Sequence, residues 1–373
     1  MTRYKLSEIC KIVSGSTPKT NVPEYWDGEN VWITPAEITD KTFIVYDSQR
    51  KLSNLGVEKT HLSSFPKGTV ILSSRAPIGK VAIAGVEMFC NQGFKNLICS
   101  EKIMNEYLYW FLKGKTKYLN SLGRGATFKE LSAKIIGNIE LEVPSIQEQK
   151  EVVIRLRKID QIIGVFEREV ELLDELIKAR FVEMFGDVQN AKKHSNKQLK
   201  DICNTVTGGT PSTKHAEYYN GTIPWISTVS LGPNYIDGTT AKAFITQEAV
   251  DNSSTKIIPS GSILFGTRVG VGKSSINQVE MCTNQDIVAI IDLDESKYNK
   301  LYIKYVLDTY QSYFDSIKKG ATILGISSDD LKNIYIPDAS LYEQNRFEKF
   351  VKQIDKSRLL SNHSLLLLKS IIF

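Results

Sequence analysis

The chain has 373 residues, 42% hydrophobic and 24% charged, a composition ordinary for folded domains in water and a length beyond one core. Its net charge of +5 admits a nucleic-acid partner without requiring one. No apolar run reaches the length of about eighteen residues that crosses a bilayer, and Met1-Thr2-Arg3-Tyr4-Lys5 lacks a signal peptide's apolar stretch, so a cytoplasmic chain with no membrane partner is expected.

Residues 1–145 read as a mixed α/β unit. It opens with Gly15-Ser16-Thr17-Pro18-Lys19-Thr20, then Tyr25, Gly28 and Trp32-Ile33. Two short β-branched or apolar runs, Val70-Ile71-Leu72 and Val81-Ala82-Ile83, read as strands around the polar loop Ser73-Ser74-Arg75-Ala76-Pro77-Ile78-Gly79-Lys80. Asn91-Gln92 follows, then a helical stretch over 103–121 whose Tyr107, Tyr109, Trp110 and Phe111 read as core. Arg124 leads into Gly125-Ala126-Thr127.

Residues 146–190 form a long helix. Pro144-Ser145 starts it, with Ser145 as N-cap, and Gly186-Asp187 ends it. Val152, Leu156, Ile159, Ile163, Phe166, Val170, Leu173 and Ile177 alternate at spacings of four and three, a heptad seam. At 1.5 Å per residue, such a helix is a rod of about 60 Å. Gly164 lies off the seam.

Residues 191–340 repeat the first unit at an offset near 193. Ile9-Cys10 recurs as Ile202-Cys203, and Gly15, Thr17-Pro18 and Thr20 recur as Gly208, Thr210-Pro211 and Thr213. Tyr25, Gly28 and Trp32-Ile33 recur as Tyr218, Gly221 and Trp225-Ile226, and Pro66 and Gly68 as Pro259 and Gly261. Arg75, Gly79-Lys80 and Asn91-Gln92 recur as Arg268, Gly272-Lys273 and Asn284-Gln285. After two inserted residues, Gly125-Ala126-Thr127, Glu148-Gln149 and Ile159-Asp160 match Gly320-Ala321-Thr322, Glu343-Gln344 and Ile354-Asp355. Ile287 to Ile291 read as a strand, and 298–317 as helical. Residues 341–373 form a second long helix, with Phe347, Val351, Ile354, Leu365, Leu368 and Ile372 at the seam positions. Arg358 and Ser361 interrupt it, so the seam is weaker there or another face packs. The two seams can pair as an antiparallel coiled coil; the competing arrangement lays each helix on its own domain.

The loops carry residues suited to DNA: arginine offers two hydrogen bonds to guanine O6 and N7, lysine favours phosphate, and small neighbours let the backbone approach a groove. Candidates are Thr17, Lys19, Thr20, Ser74, Arg75, Lys80 and Arg124 in the first unit. In the second they are Thr210, Ser212, Thr213, Lys214, Arg268, Lys273, Lys318 and Lys319. For each, a solvated turn with incidental charge is the competing reading.

Signs of catalysis are lacking. Gly266-Thr267-Arg268-Val269-Gly270-Val271-Gly272-Lys273-Ser274 misses the phosphate-binding P-loop spacing, because position 267 is threonine, and Val81 follows Gly79-Lys80 where a hydroxyl is needed. No Asn/Asp-Pro-Pro-aromatic tetrapeptide of DNA amino-methyltransferases occurs; Gly232-Pro233-Asn234-Tyr235 shares composition only. Asp286, Glu295 and Lys297 imitate a nuclease pattern that the first copy lacks. His61, His194, His215 and His363 are scattered, and five cysteines without a CxxC pair fit neither a disulfide framework nor a zinc site.

The order and duplication of these motifs over almost the whole chain resemble the specificity subunits of Type I restriction-modification systems. The resemblance implies an α+β fold: two similar target-recognition domains separated by two long helices forming an antiparallel coiled coil with pseudo-two-fold symmetry. It implies that each domain reads one half of a split double-stranded DNA site, while the helices set the gap and dock two methyltransferase subunits. S-adenosylmethionine, and ATP and Mg with any restriction or motor subunits, would then reside in partners, leaving this chain non-catalytic and without a cofactor or metal. Competing functions are a stand-alone nucleotide- or S-adenosylmethionine-dependent enzyme, and a bivalent scaffold for a non-DNA ligand.

Overall fold

Short apolar runs such as Val70-Ile71-Leu72 can be buried on both faces only inside a layered core, and the chain builds that arrangement twice. In the computed structural model, which describes residues 2–125, 129–186, 197–320 and 324–372, the chain divides into two units. One is Met1–Glu169 with Ser361–Phe373, the other Val170–Leu360.

In the first unit, a five-stranded sheet runs in the order Cys10–Ser14, Phe94–Cys99, Val70–Ser73, Val81–Ala84, Ile44–Val45. Its first three pairings are antiparallel and the last is parallel. A smaller sheet joins Arg50–Leu52, Trp26–Ile33 and Phe89–Cys90. Ile33, Phe65, Ile71, Met88 and Phe94 fill one core cluster of this unit. Tyr109 and Trp110, on the helix Asn105–Lys113, are buried as expected of core aromatics.

The second unit repeats the plan with Asn204–Thr207, Ile287–Ile291, Ile263–Gly266, Ser274–Asn277 and Tyr235–Ile236 in the same order. Its smaller sheet has four strands: Ala243–Ile245, Ile223–Ile226, Met281–Thr283 and Ile257–Ile258. Identical strand order at the repeat offset makes the duplication structural as well as sequential.

Both long helices form, as Ile146–Phe185 and Leu341–Ile372. Pattern changes in the sequence fall at 145, 190 and 340; the contacts instead divide both helices, after Glu169 and after Leu360. Each unit thus holds part of each helix. Within the second unit the helices pair antiparallel: Asp174 receives the Arg358 guanidinium, Arg180 lies over the Phe350 ring, and the Phe181 and Phe347 rings are 5.4 Å apart. Within the first unit, Lys369 Nζ donates to Glu167 at 2.8 Å.

The expected seam faces inward along most of its length. Ile163 and Ile177 are buried, and Leu156, Ile159, Phe166, Val170 and Leu173 are half-buried. Val351 and Leu365 on the other helix are buried, and Ile354 and Leu368 half-buried. One correction falls at the start, where Val152 is exposed and Val153 is buried. There Gln149 pins the helix to its own domain and selects the face that carries 149, 153 and 156. Phe181, fully buried, extends the seam beyond Ile177.

The polar interruption keeps the same face. Ser361 is buried, and Arg358 is held by Asp174 and, at 3.1 Å, by Asp355. Asp355 also accepts from Asn234 Nδ2 at 2.8 Å. A charge placed between helices needs such partners to offset lost hydration.

Each helix start is welded to its domain by one buried amide. Ser145 and Glu148 form a reciprocal cap, as do Ser340 and Glu343. Gln149 then accepts from Met104 N at 2.8 Å and donates to the Lys102 and Pro144 carbonyls. Gln344 repeats this with Asn299 N and the Lys297 and Ala339 carbonyls. At the other end, Gly186 takes φ +75°, the left-handed geometry that lets a glycine stop a helix.

Two stability changes of opposite sign are expected in thermal melts. Gln344→Ala strands three backbone groups and should cost about 3 kcal/mol. Gly164→Ala should stabilise by about 1 kcal/mol, since a methyl there meets no atom within 4 Å. A Gly164→Ala protein that melts lower would overturn the second expectation.

Candidate nucleic-acid interface

Three loops meet in each unit, and indole donors hold the first of them. In the first unit Trp32 Nε1 donates to the Ser16 carbonyl at 3.1 Å and Trp26 Nε1 to the Lys19 carbonyl at 3.2 Å. The Thr17 hydroxyl bonds the Gln92 side chain. Gly15 admits no side chain, because a Cβ would stand 2.2 Å from the Asn91 carbonyl. The second unit reproduces this: Trp225 Nε1 donates to the Gly209 carbonyl at 3.0 Å, Thr210 bonds Gln285, and a Cβ on Gly208 would stand 2.3 Å from the Asn284 carbonyl. The paired motifs Gly-x-Thr-Pro and Asn-Gln, far apart in sequence, are therefore one structural element. The tryptophans earn their place as clamps.

The second loop is the turn of a hairpin. Ser74 N donates to the Gly93 carbonyl at 2.7 Å, which joins this turn to the Asn-Gln segment. Thr267 N donates to the Asp286 carbonyl at 2.8 Å in the second unit. The third segment closes on the hairpin from the other side: Leu131 N donates to the Ser74 carbonyl, and Ile326 N to the Thr267 carbonyl. Since Ser274–Asn277 after Lys273 is a strand, the second unit's loop lacks the helix N-terminus that a phosphate-binding P-loop needs.

The candidate residues separate by placement. Thr17, Lys19, Thr20 and Arg124 are exposed in the first unit, as are Thr210, Ser212, Thr213, Lys214, Lys273 and Lys319 in the second. Lys318 is half-buried and paired with Asp315. Two candidates turn inward. Ser74 is fully buried with its hydroxyl on the Gly93 carbonyl, and Lys80 donates to the Pro35 carbonyl at 2.8 Å. Both brace the loop: the buried Ser74 hydroxyl needs an acceptor, and the half-buried Lys80 ammonium finds one in a backbone carbonyl. Ala126-Thr127 and Ala321-Thr322 lie outside the described residues.

The two arginines stand at matching points of the two hairpins. Arg75, about one-third exposed, has Nη1 4.0 Å from Glu130 Oε2. Arg268, more exposed, has Nη1 3.6 Å from Asp286 Oδ1. Glu130 also faces Lys95 Nζ at 3.6 Å, and Asp286 accepts from Asn284 Nδ2 at 3.0 Å. Sequence reasoning missed both acids as partners of the arginines, Asp286 entering it only through a nuclease-like pattern; the differences between the copies at positions 93/286 and 130/325 were the available signal.

The arrangement offers hydrogen-bond donors and positive charge on rigid loops. Among the described residues, no three His, Cys, Asp or Glu side chains gather as a metal cage would require. Burial pushes the Cys90 thiol up to about 12 and the Cys282 thiol up to about 11, the behaviour of small core side chains. No described helix is long and apolar enough to cross a membrane.

The chain belongs to the Type I restriction modification DNA specificity domain family, whose profile matches residues 1–172 and again 192–369. The family is one of DNA specificity domains of Type I restriction-modification systems. The chain is 27% identical over 390 residues to the Type I restriction enzyme MjaIX specificity subunit of Methanocaldococcus jannaschii, covering 98% of this chain and 89% of that one. Over 169 residues it is 34% identical to the EcoR124I/EcoR124II specificity subunit of Escherichia coli, covering 43% of this chain and 40% of the relative. Among solved structures it resembles a chain from work on complex assembly and conformational transition of the type I R-M system, with TM-score 0.65, 17% identity and coverage of 100% and 95%. It also resembles the Type I S subunit from M. genitalium, with TM-score 0.50, 14% identity and coverage of 100% and 93%. These likenesses show a shared fold.

Two glycine substitutions test the loop packing. Gly15→Ala and Gly208→Ala should each cost about 1–3 kcal/mol, the range for forcing atoms into a filled space. Thermal melting of the full chain reads this out, and unchanged melting in both variants would remove the close loop contact from the account.

Proposed function

We propose that each unit reads one half of a split double-stranded DNA sequence through its three joined loops. Arg75 and Arg268 address base edges; Thr17, Lys19, Thr20, Arg124, Thr210, Ser212, Thr213, Lys214, Lys273, Lys318 and Lys319 supply surrounding phosphate and groove contacts. The long helices set the gap between the half-sites and carry docking surface for two methyltransferase subunits. Those partners bring S-adenosylmethionine and the methyl-transfer chemistry; restriction or motor subunits, where they join, bring ATP and Mg. The observation that carries this reading is the same three-loop assembly built twice, with an arginine at the same point of each.

With a net charge of only +5, the isolated chain has little electrostatic attraction for DNA, and binding should strengthen when a partner helps enclose the duplex. Mapping methylated sites in cells that carry the chain with its modification subunits tests the assignment. Arg75→Ala should relax the sequence requirement in one half of the site and Arg268→Ala in the other, each by about 1–3 kcal/mol of base discrimination. An unchanged site in either variant removes that arginine from the reading set.

A further inference from the structure

The two arginines are alike, but their acids are not. Arg75 meets Glu130, on the segment that pairs with Arg124; Arg268 meets Asp286, beside the Asn-Gln turn. At the repeat offset, position 93 is glycine where the second copy has Asp286, and position 325 is glycine where the first copy has Glu130. Each unit therefore has one acid and one glycine flanking its arginine, in reciprocal places. Sterics hold the arrangement in the second unit and crowd it in the first. A Cβ on Gly325 would stand 2.8 Å from the Thr267 carbonyl and 2.9 Å from Arg268 Cγ, so no acid can occupy that place in the second unit. A Cβ on Gly93 would stand 3.0 Å from Asn91 Oδ1 and 3.1 Å from Pro35 Cγ, a tight fit.

We propose that Glu130 and Asp286 are positioning residues that determine specificity, each aiming its arginine at a base edge from a different side. This rests on the reading of Arg75 and Arg268 as base readers. Both acids are themselves held. Glu130 exchanges backbone hydrogen bonds of 3.1 and 2.9 Å with Arg124, and its carboxylate also faces the nearly buried Lys95. Asp286 is 17% exposed and its second oxygen is taken by Asn284. In both pairs the acid meets Nη1, and a guanidinium fork retains other N–H groups for guanine O6 and N7. Partly exposed pairs of this kind add little to folding, so their recurrence around matching arginines points to orientation. Because the acids stand on different loops, the two half-site requirements are not interchangeable by exchanging the arginine loops alone.

The test uses the full chain with its modification subunits in cells, with genome-wide methylation as the readout. Glu130→Gln should relax base preference about tenfold at the position that Arg75→Ala relaxes. The other half-site in the same molecules serves as an internal control for folding and should not change. Asp286→Asn should do the reverse. Glu130→Asp, which keeps the charge, should restore part of the preference, and Glu130→Gln should add nothing in an Arg75→Ala background. If Glu130→Gln leaves the site unchanged while Arg75→Ala relaxes it, the acid does not position the arginine. Loss in both halves would make the acid structural, which also overturns the proposal. If neither arginine substitution alters the site, the base-reading assignment itself fails, a distinct result that removes the inference with it.

Discussion

A carboxamide sealed from water at the start of each long helix is the constraint on which the rest depends. Gln149 and Gln344 have no solvent exposure, and each joins one backbone N–H to two carbonyls. In such a place an unmade hydrogen bond is expensive, so the helix leaves its domain in one direction and on one face. The inward face that begins at Gln149 runs through Val153, Leu156, Ile163 and Ile177 to Phe181. Cap, buried amide and first turns are therefore continuous at the start of each helix.

The three-loop assemblies follow a second economy of construction. Their backbone is held by partners that leave outward side chains available: an indole N–H, a threonine hydroxyl on a glutamine, and glycines that fit under a carbonyl. Rigid loops suit recognition, because a side chain already placed loses less freedom on meeting its ligand. On the proposed reading, modest charge serves selectivity: strong phosphate attraction would hold any duplex, whereas donors on fixed loops favour the sequence that completes their hydrogen bonds. Arg358, half-buried within the helix pair, is held between Asp174 and Asp355.

The division into two copies, the length of both helices, the cap at Ser145 and most of the inward face were legible in the amino-acid order. These features are local: periodicity and capping act over a few residues, and a duplicated motif proclaims itself by comparison with its twin. Only the tertiary structure decided that Ser74 and Lys80 turn inward, that Val153 replaces Val152 on the packed face, and that contacts divide within the helices at 169 and 360. It alone brought Glu130 to Arg75 and Asp286 to Arg268. Those outcomes depend on backbone brought together from distant parts of the chain, where the partner of a polar side chain is chosen by geometry that no short stretch of sequence contains.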